Sequence, residues 1–224
     1  VWFEAMSQLE RVDTPAGPID VRCWAPPSGP VQELVVVTVH PWATLGGSEY
    51  NTVGIAKELS AKGVRTLTFN LRASSAVWGV ISNHRSEVAQ VEAICTWASQ
   101  RWGHEIILFG SSAGAPIAGT VLPKVEVVTR YIGVGYTWGW FAAIAFGRHF
   151  GSILASEKPK LFLMGERDEF TKPKTLHSYV AKAKGQPSSN TVVIIPELGH
   201  FELESPAYDG LVADHVLSWL KGEM

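Results

Sequence analysis

Two periods of apolar residues organise the chain. Residues 19–25 alternate apolar with polar positions, as a strand with one face in solvent does. Residues 34–39 are nearly all apolar, which suits a strand covered on both faces. Further β-branched and aliphatic runs fall at 64–69, 105–109, 125–134, 160–164 and 191–195. Stretches of helical length lie between them, at 50–62, 87–101, 113–122, 141–155, 172–184 and 206–221. In the second of these, Val88, Val91, Ile94, Cys95 and Ala98 recur at three- and four-residue spacing and form one apolar stripe. Strands alternating with helices predict an α/β fold, a mostly parallel central sheet with helices on both faces. No linker, composition shift or internal repeat divides the chain, so a single domain over residues 1–224 is expected. The five residues before Met6 are expected to be upstream or added sequence and carry no functional weight.

In an open parallel sheet, ligands bind beyond the carboxyl ends of the strands, so the residues that follow each strand are where chemistry is sought. After 105–109 comes Gly110-Ser111-Ser112-Ala113-Gly114, and a small-residue helix follows at once. A serine on a sharp strand-to-helix turn is held in an unfavourable backbone conformation, and the flanking glycines avoid clashes with neighbouring backbone. Ser112 is therefore the candidate nucleophile. It needs a base, and of the seven histidines His200 is best placed, on a loop after the last strand and ahead of the last helix. A carboxylate must orient the imidazole, and the strand 160–164 runs into a turn holding Glu166, Asp168 and Glu169. Asp168 is the choice, since Glu166 lies nearer the strand end and Glu169 heads toward the next helix. The oxyanion donors expected are the backbone N–H of Ala113 and, from the loop after 34–39, that of Trp42, because Pro41 has none to give. His40 is read as a structural histidine beneath that loop.

Composition narrows the field. Lys+Arg 19 against Asp+Glu 21 gives a formal net charge of −2 with no basic run, which argues against a nucleic-acid partner. No apolar run approaches the ~20 residues of a membrane span. Two cysteines, Cys23 and Cys95, are too few for a disulfide framework and lack metal-type spacing; packed, reduced thiols and a cytoplasmic location are the expectation. Gly133 to Gly139 approaches a dinucleotide fingerprint, but its last glycine falls one position late. Neither a metal nor a nucleotide cofactor is expected. The partner expected is a small-molecule acyl substrate.

The chain resembles the α/β-hydrolase superfamily, and within it the small, cap-poor serine hydrolases near the dienelactone-hydrolase-like and esterase group. The resemblance rests on His40-Pro41 with Gly46-Gly47 after one strand and Phe69-Asn70-Leu71-Arg72 after the next. It continues with the Gly110–Gly114 elbow, Gly165-Glu166-Arg167-Asp168-Glu169-Phe170 and Gly199-His200-Phe201-Glu202, all in the family's order. It implies an eight-stranded sheet lacking its first strand and a carboxylesterase-like hydrolase that cleaves an ester or thioester through an acyl-enzyme. Two departures stand out. Ala73-Ser74-Ser75 follow Arg72 where such members often carry Gly-x-Gly, and the elbow holds serine where dienelactone hydrolase resembles a cysteine enzyme. Many family members insert a lid between the strands at 125–134 and 160–164, but about 25 residues here leave room for one helix and its loops, so no full cap is expected. Trp138, Trp140 and Phe141, with Trp42, would either wall a substrate pocket or pack a helix on the sheet; Trp78 is a weaker candidate for the same surface. A non-hydrolytic small-molecule receptor or interaction module is the alternative, as fold alone does not fix function, and carbon–carbon or peptide hydrolysis is the rival within enzymes.

Overall fold

A computed structural model describes residues 7–27, 34–43, 46–72, 76–103, 105–185 and 189–224. Eight strands run in chain order as β1 (Ser7–Val12), β2 (Ile19–Trp24), β3 (Leu34–Val39), β4 (Arg65–Phe69), β5 (Glu105–Ser111), β6 (Val128–Val134), β7 (Lys160–Gly165) and β8 (Asn190–Ile195). They form one sheet in the order β1-β2-β4-β3-β5-β6-β7-β8. The β1–β2 and β2–β4 pairs are antiparallel, and every later pair is parallel. The helices are α1 (Tyr50–Ala61), α2 (Ala76–Ser82), α3 (Arg85–Trp102), α4 (Gly114–Val121), α5 (Trp140–Phe146), α6 (Phe150–Ala155), α7 (Pro173–Val180), α8 (His200–Leu203) and α9 (Asp209–Leu220).

The sheet is covered on both faces, and β3 shows how. Its side chains alternate across the sheet, as the two-residue period of a strand requires. Val35 and Val37 join the apolar cluster of Val88, Val91, Ile94 and Cys95 from α3, whereas Val36 joins Ile55, Leu59, Val212 and Val216 from α1 and α9. Each such side chain is fully buried, a gain of about 1.5–3 kcal/mol over leaving it in water. The nearly all-apolar run at 34–39 is thus a strand with no face to solvent, and its one polar side chain, Thr38, is buried with its hydroxyl donating to the Leu67 carbonyl at 2.9 Å.

Register aligns the carboxyl ends of the parallel strands on one rim. Val39 of β3 lies opposite Gly110 of β5, Ser111 opposite Val134 of β6, and Gly165 of β7 opposite Ile195 of β8. The segments that follow these strands hold Trp42, Ser112, Asp168 and His200. Between β6 and β7 there is only α5, a 3₁₀ turn over Gly147–His149 and α6, so the chain carries no cap domain.

Two expectations need correction. The first strand of the eight is present: β1 was hidden because Ser7–Glu10 are partly or fully exposed and only Val12 is buried, so its sequence carries no apolar run. The helix expected over 141–155 is broken at Gly147 into α5 and α6, with glycines at 147 and 151 weakening a continuous helix. No described helix is long and apolar enough to cross a membrane. The first five residues and Ala73-Ser74-Ser75 lie outside the described residues.

Candidate active site

The turn after β5 is shaped by what cannot fit there. A Cβ at Gly110 would lie 2.5 Å from the Ala115 Cα, and one at Gly114 would lie 2.3 Å from the His40 carbonyl oxygen. Between them Ser112 takes φ +51°, the left-handed region that costs a non-glycine residue roughly 1–2 kcal/mol. The turn is held by the Ser112 N–H donating to the Val134 carbonyl at 2.8 Å and the Ala115 N–H donating to the Ser112 carbonyl at 3.0 Å. Beneath, the buried Tyr131 hydroxyl donates to the Ala115 carbonyl at 2.9 Å. Gly114→Ala should therefore force β5 and the His40 loop apart, at a cost of about 1–3 kcal/mol. Urea unfolding measures this, and an unchanged midpoint would contradict the packing described.

Three side chains from separate segments meet at this turn. The Ser112 Oγ lies 2.8 Å from His200 Nε2, and His200 Nδ1 lies 2.7 Å from Asp168 Oδ2. Asp168 is fully buried, and its other oxygen accepts the N–H groups of Phe170 at 2.9 Å and Thr171 at 2.7 Å. That leaves Oδ2 for the imidazole, which fixes the proton on Nδ1 and leaves Nε2 to accept from the serine. The neighbouring acids do other work. Glu169 accepts the backbone N–H of His200 at 2.8 Å, and Glu166 accepts the backbone N–H of Glu197 at 3.1 Å. Gly135, at φ +56°, leaves the space the ring needs: a Cβ there would lie 2.9 Å from His200 Cε1. The ring of Phe170 covers the imidazole edge-on, 4.6 Å between centroids.

Burial on its own would lower the His200 pKa. The hydrogen bond and charge of Asp168, helped by Glu204 and Glu169, outweigh it and raise the imidazole above its ordinary 6.5.

Trp42 and Ala113 both line the cleft beside Ser112, and neither backbone N–H donates to an acceptor among the described residues. His40 lies behind them, buried. It accepts the Leu71 N–H on Nε2 at 3.0 Å, so Nδ1 carries the proton and donates to the Pro41 carbonyl at 2.5 Å. The ring ties the β3 and β4 loops together, and burial lowers its pKa.

Among the described residues, two hollows open on Ser112. The larger, about 370 Å³, is lined by Trp42, Asn51, Ala113, Phe170, Phe201 and Glu204 among others. The smaller, about 70 Å³, is almost wholly apolar, with Trp42, Ala142, Ala145, Phe146 and Phe170 around it.

The aromatic residues expected to wall the pocket do not all do so. Trp138 is buried in the core, stacked on Tyr136 at 3.9 Å and Tyr179 at 5.1 Å, with its backbone N–H donating to the Thr171 hydroxyl at 2.8 Å. Trp140 points outward and is 80% exposed. The side chains of Phe141 and Trp78 lie outside the described residues. Phe146 and Phe170 occupy the place instead. The sequence also gave no prominence to Glu204, whose position four residues after His200 puts it on the same side of a helical turn. Arg72 faces away, its Nε donating to the Pro18 carbonyl at 3.0 Å.

No group of three or more His, Cys, Asp or Glu side chains among the described residues is arranged to hold a metal ion. Both thiols are buried, and burial pushes Cys23 up to about 12, so neither is a ready nucleophile.

No family model matches the sequence. An uncharacterised protein of Schizosaccharomyces pombe is 24% identical over 202 residues, covering 83% of this chain and 85% of that protein. Among solved structures, an α/β serine hydrolase without lid from Xanthomonas campestris superposes with a TM-score of 0.76 at 22% identity, covering 98% of this chain and 97% of that one. An α/β serine hydrolase homologue from Coxiella burnetii gives 0.76 at 23% identity over 97% and 99% of the two chains. Dienelactone hydrolase from Anabaena variabilis gives 0.73 at 17% identity over 98% and 99%. The chain therefore has the α/β fold of these neighbours, an eight-stranded, mostly parallel sheet with helices on both faces.

Proposed function

We propose that the protein is a serine hydrolase that cleaves a carboxylic ester or thioester through an acyl-enzyme. The observation that carries this reading is the continuous hydrogen-bonded line from Ser112 through His200 to Asp168, at 2.8 and 2.7 Å, ending on a strained serine that faces a cleft.

Ser112 Oγ attacks the acyl carbon while His200 Nε2 takes its proton. The electron pair of the carbonyl moves onto its oxygen, which accepts the N–H groups of Ala113 and Trp42. The intermediate collapses as Nε2–H gives its proton to the departing oxygen or sulfur, leaving the acyl group on Ser112. Water then attacks this ester, again losing a proton to Nε2, and the acid and free serine are released. Asp168 stabilises the imidazolium at each stage. The leaving atom must lie against Nε2, which puts the leaving group in the larger hollow beside α8. The acyl chain then falls in the small apolar hollow at α5, which has room for a short chain.

Turnover of nitrophenyl acetate and of a short-chain thioester, blocked by prior treatment with a fluorophosphonate, is the expected result. No turnover across a library of acyl esters and thioesters would overturn the reading.

The pH dependence follows from His200. Only the neutral ring can accept the serine proton, and its pKa is raised. As pH falls, kcat/KM should drop tenfold per unit below a midpoint that lies above 6.5. A midpoint near 5 in a kcat/KM profile would contradict the assigned base.

A further inference from the structure

The larger hollow holds a carboxylate whose only part in the chemistry above is the charge it sets near His200. Glu204 follows α8, and its side chain is only 9% exposed. Its Oε1 accepts the Ser111 hydroxyl at 2.8 Å and lies 3.9 Å from His200 Nε2. No lysine or arginine among the described residues pairs with it, and none lines the hollow. A carboxylate withdrawn from water normally has a cation beside it, and the resting imidazole is neutral. Burial accordingly pushes the Glu204 carboxyl above its usual range, more than His200 and Ser111 pull it down. The missing cation has a place to sit. Trp42, Phe170 and Phe201 surround the same space, with Phe170 and Phe201 edge to face at 5.6 Å, and aromatic faces attract cations.

Position selects which part of a substrate enters. His200 Nε2 must protonate the leaving atom, and Glu204 and Phe201 stand beside that nitrogen on the same turn. We propose that this hollow is a leaving-group subsite for a compact ammonium or quaternary ammonium, so that the substrates are esters or thioesters of short amino alcohols or amino thiols. Glu204 supplies the countercharge and the three aromatic rings the walls. The proposal rests on the hydrolase reading and narrows its substrate class.

A matched pair of thioesters tests it, 2-(trimethylammonio)ethyl thioacetate against 3,3-dimethylbutyl thioacetate, which have the same shape and differ in charge. The native protein should favour the cationic thioester by about tenfold or more in kcat/KM, and in Glu204→Gln the ratio should fall to near one. Equal turnover of the two by the native protein, or a preference that survives the substitution, would overturn the subsite while leaving the hydrolase reading intact. Calorimetry with tetramethylammonium gives a readout free of turnover. Binding that weakens about tenfold or more in Glu204→Gln supports the subsite, and the absence of binding to the native protein refutes it. If neither thioester is hydrolysed, the acyl ester and thioester library above decides the hydrolase reading, and calorimetry decides the subsite.

Discussion

Ser112→Ala is expected to lower kcat for nitrophenyl acetate by about 10⁴-fold or more, the scale seen when a triad nucleophile is removed. The substitution deletes one oxygen and leaves the rest of the machinery in place. His200 stays anchored through Nδ1 on Asp168 and through its backbone N–H on Glu169. The turn keeps its shape, because the Ser112 backbone bonds to Val134 and Ala115 do not involve the side chain. The lost rate is therefore chemical, and a thermal melt should show the fold intact. What survives is the rate above background that the oxyanion donors and the cleft provide without a nucleophile. Undiminished turnover by the purified variant would remove Ser112 from the reaction.

Asp168→Asn is expected to cost about 10³–10⁴ in kcat with little change in the fold. The reason lies in how the amide must sit. The Phe170 and Thr171 N–H groups both point at Oδ1 and demand an acceptor there. Asparagine satisfies them only with its carbonyl oxygen, which turns its NH₂ toward His200 Nδ1. The imidazole must then offer Nδ1 as an acceptor and carry its proton on Nε2, the tautomer that cannot take a proton from Ser112. Nitrogen-15 spectra of the labelled histidine report this exchange directly, alongside the loss of kcat. A variant within tenfold of the native kcat, or one whose ring keeps its proton on Nδ1, would show that a different acid orients the base.

Much of this site is legible in the sequence because it is dictated by local sterics. Gly110 and Gly114 stand where any Cβ would meet backbone, so their spacing around Ser112 carries the geometry with it. His200 and the acidic turn follow from the rule that chemistry gathers at strand ends. Place in the turn alone selects Asp168 over its neighbours, and the fold adds what the sequence lacks: Glu166 and Glu169 each accept a backbone N–H instead. Strand β1 escapes because an exposed edge strand pairs through its backbone and needs no apolar side chains. Trp138 and Trp140 show the limit of reading aromatics. A strand-end tryptophan serves the core or the surface according to how the chain turns at Gly139, where a Cβ would lie 2.0 Å from the Phe170 carbonyl. Glu204 is hidden for a related reason: helical spacing from His200 gives its side of the turn, but burial and the absence of a cation are properties of the assembled cleft.

The central claim is that the acyl group passes through Ser112. It is tested most directly by mixing the protein with a slowly deacylating aryl ester, quenching in acid and mapping the peptides by mass spectrometry. The account predicts one acyl group per chain on the peptide containing Ser112, gone in Ser112→Ala. Ester cleavage at full rate with no acyl mass at that residue would contradict it.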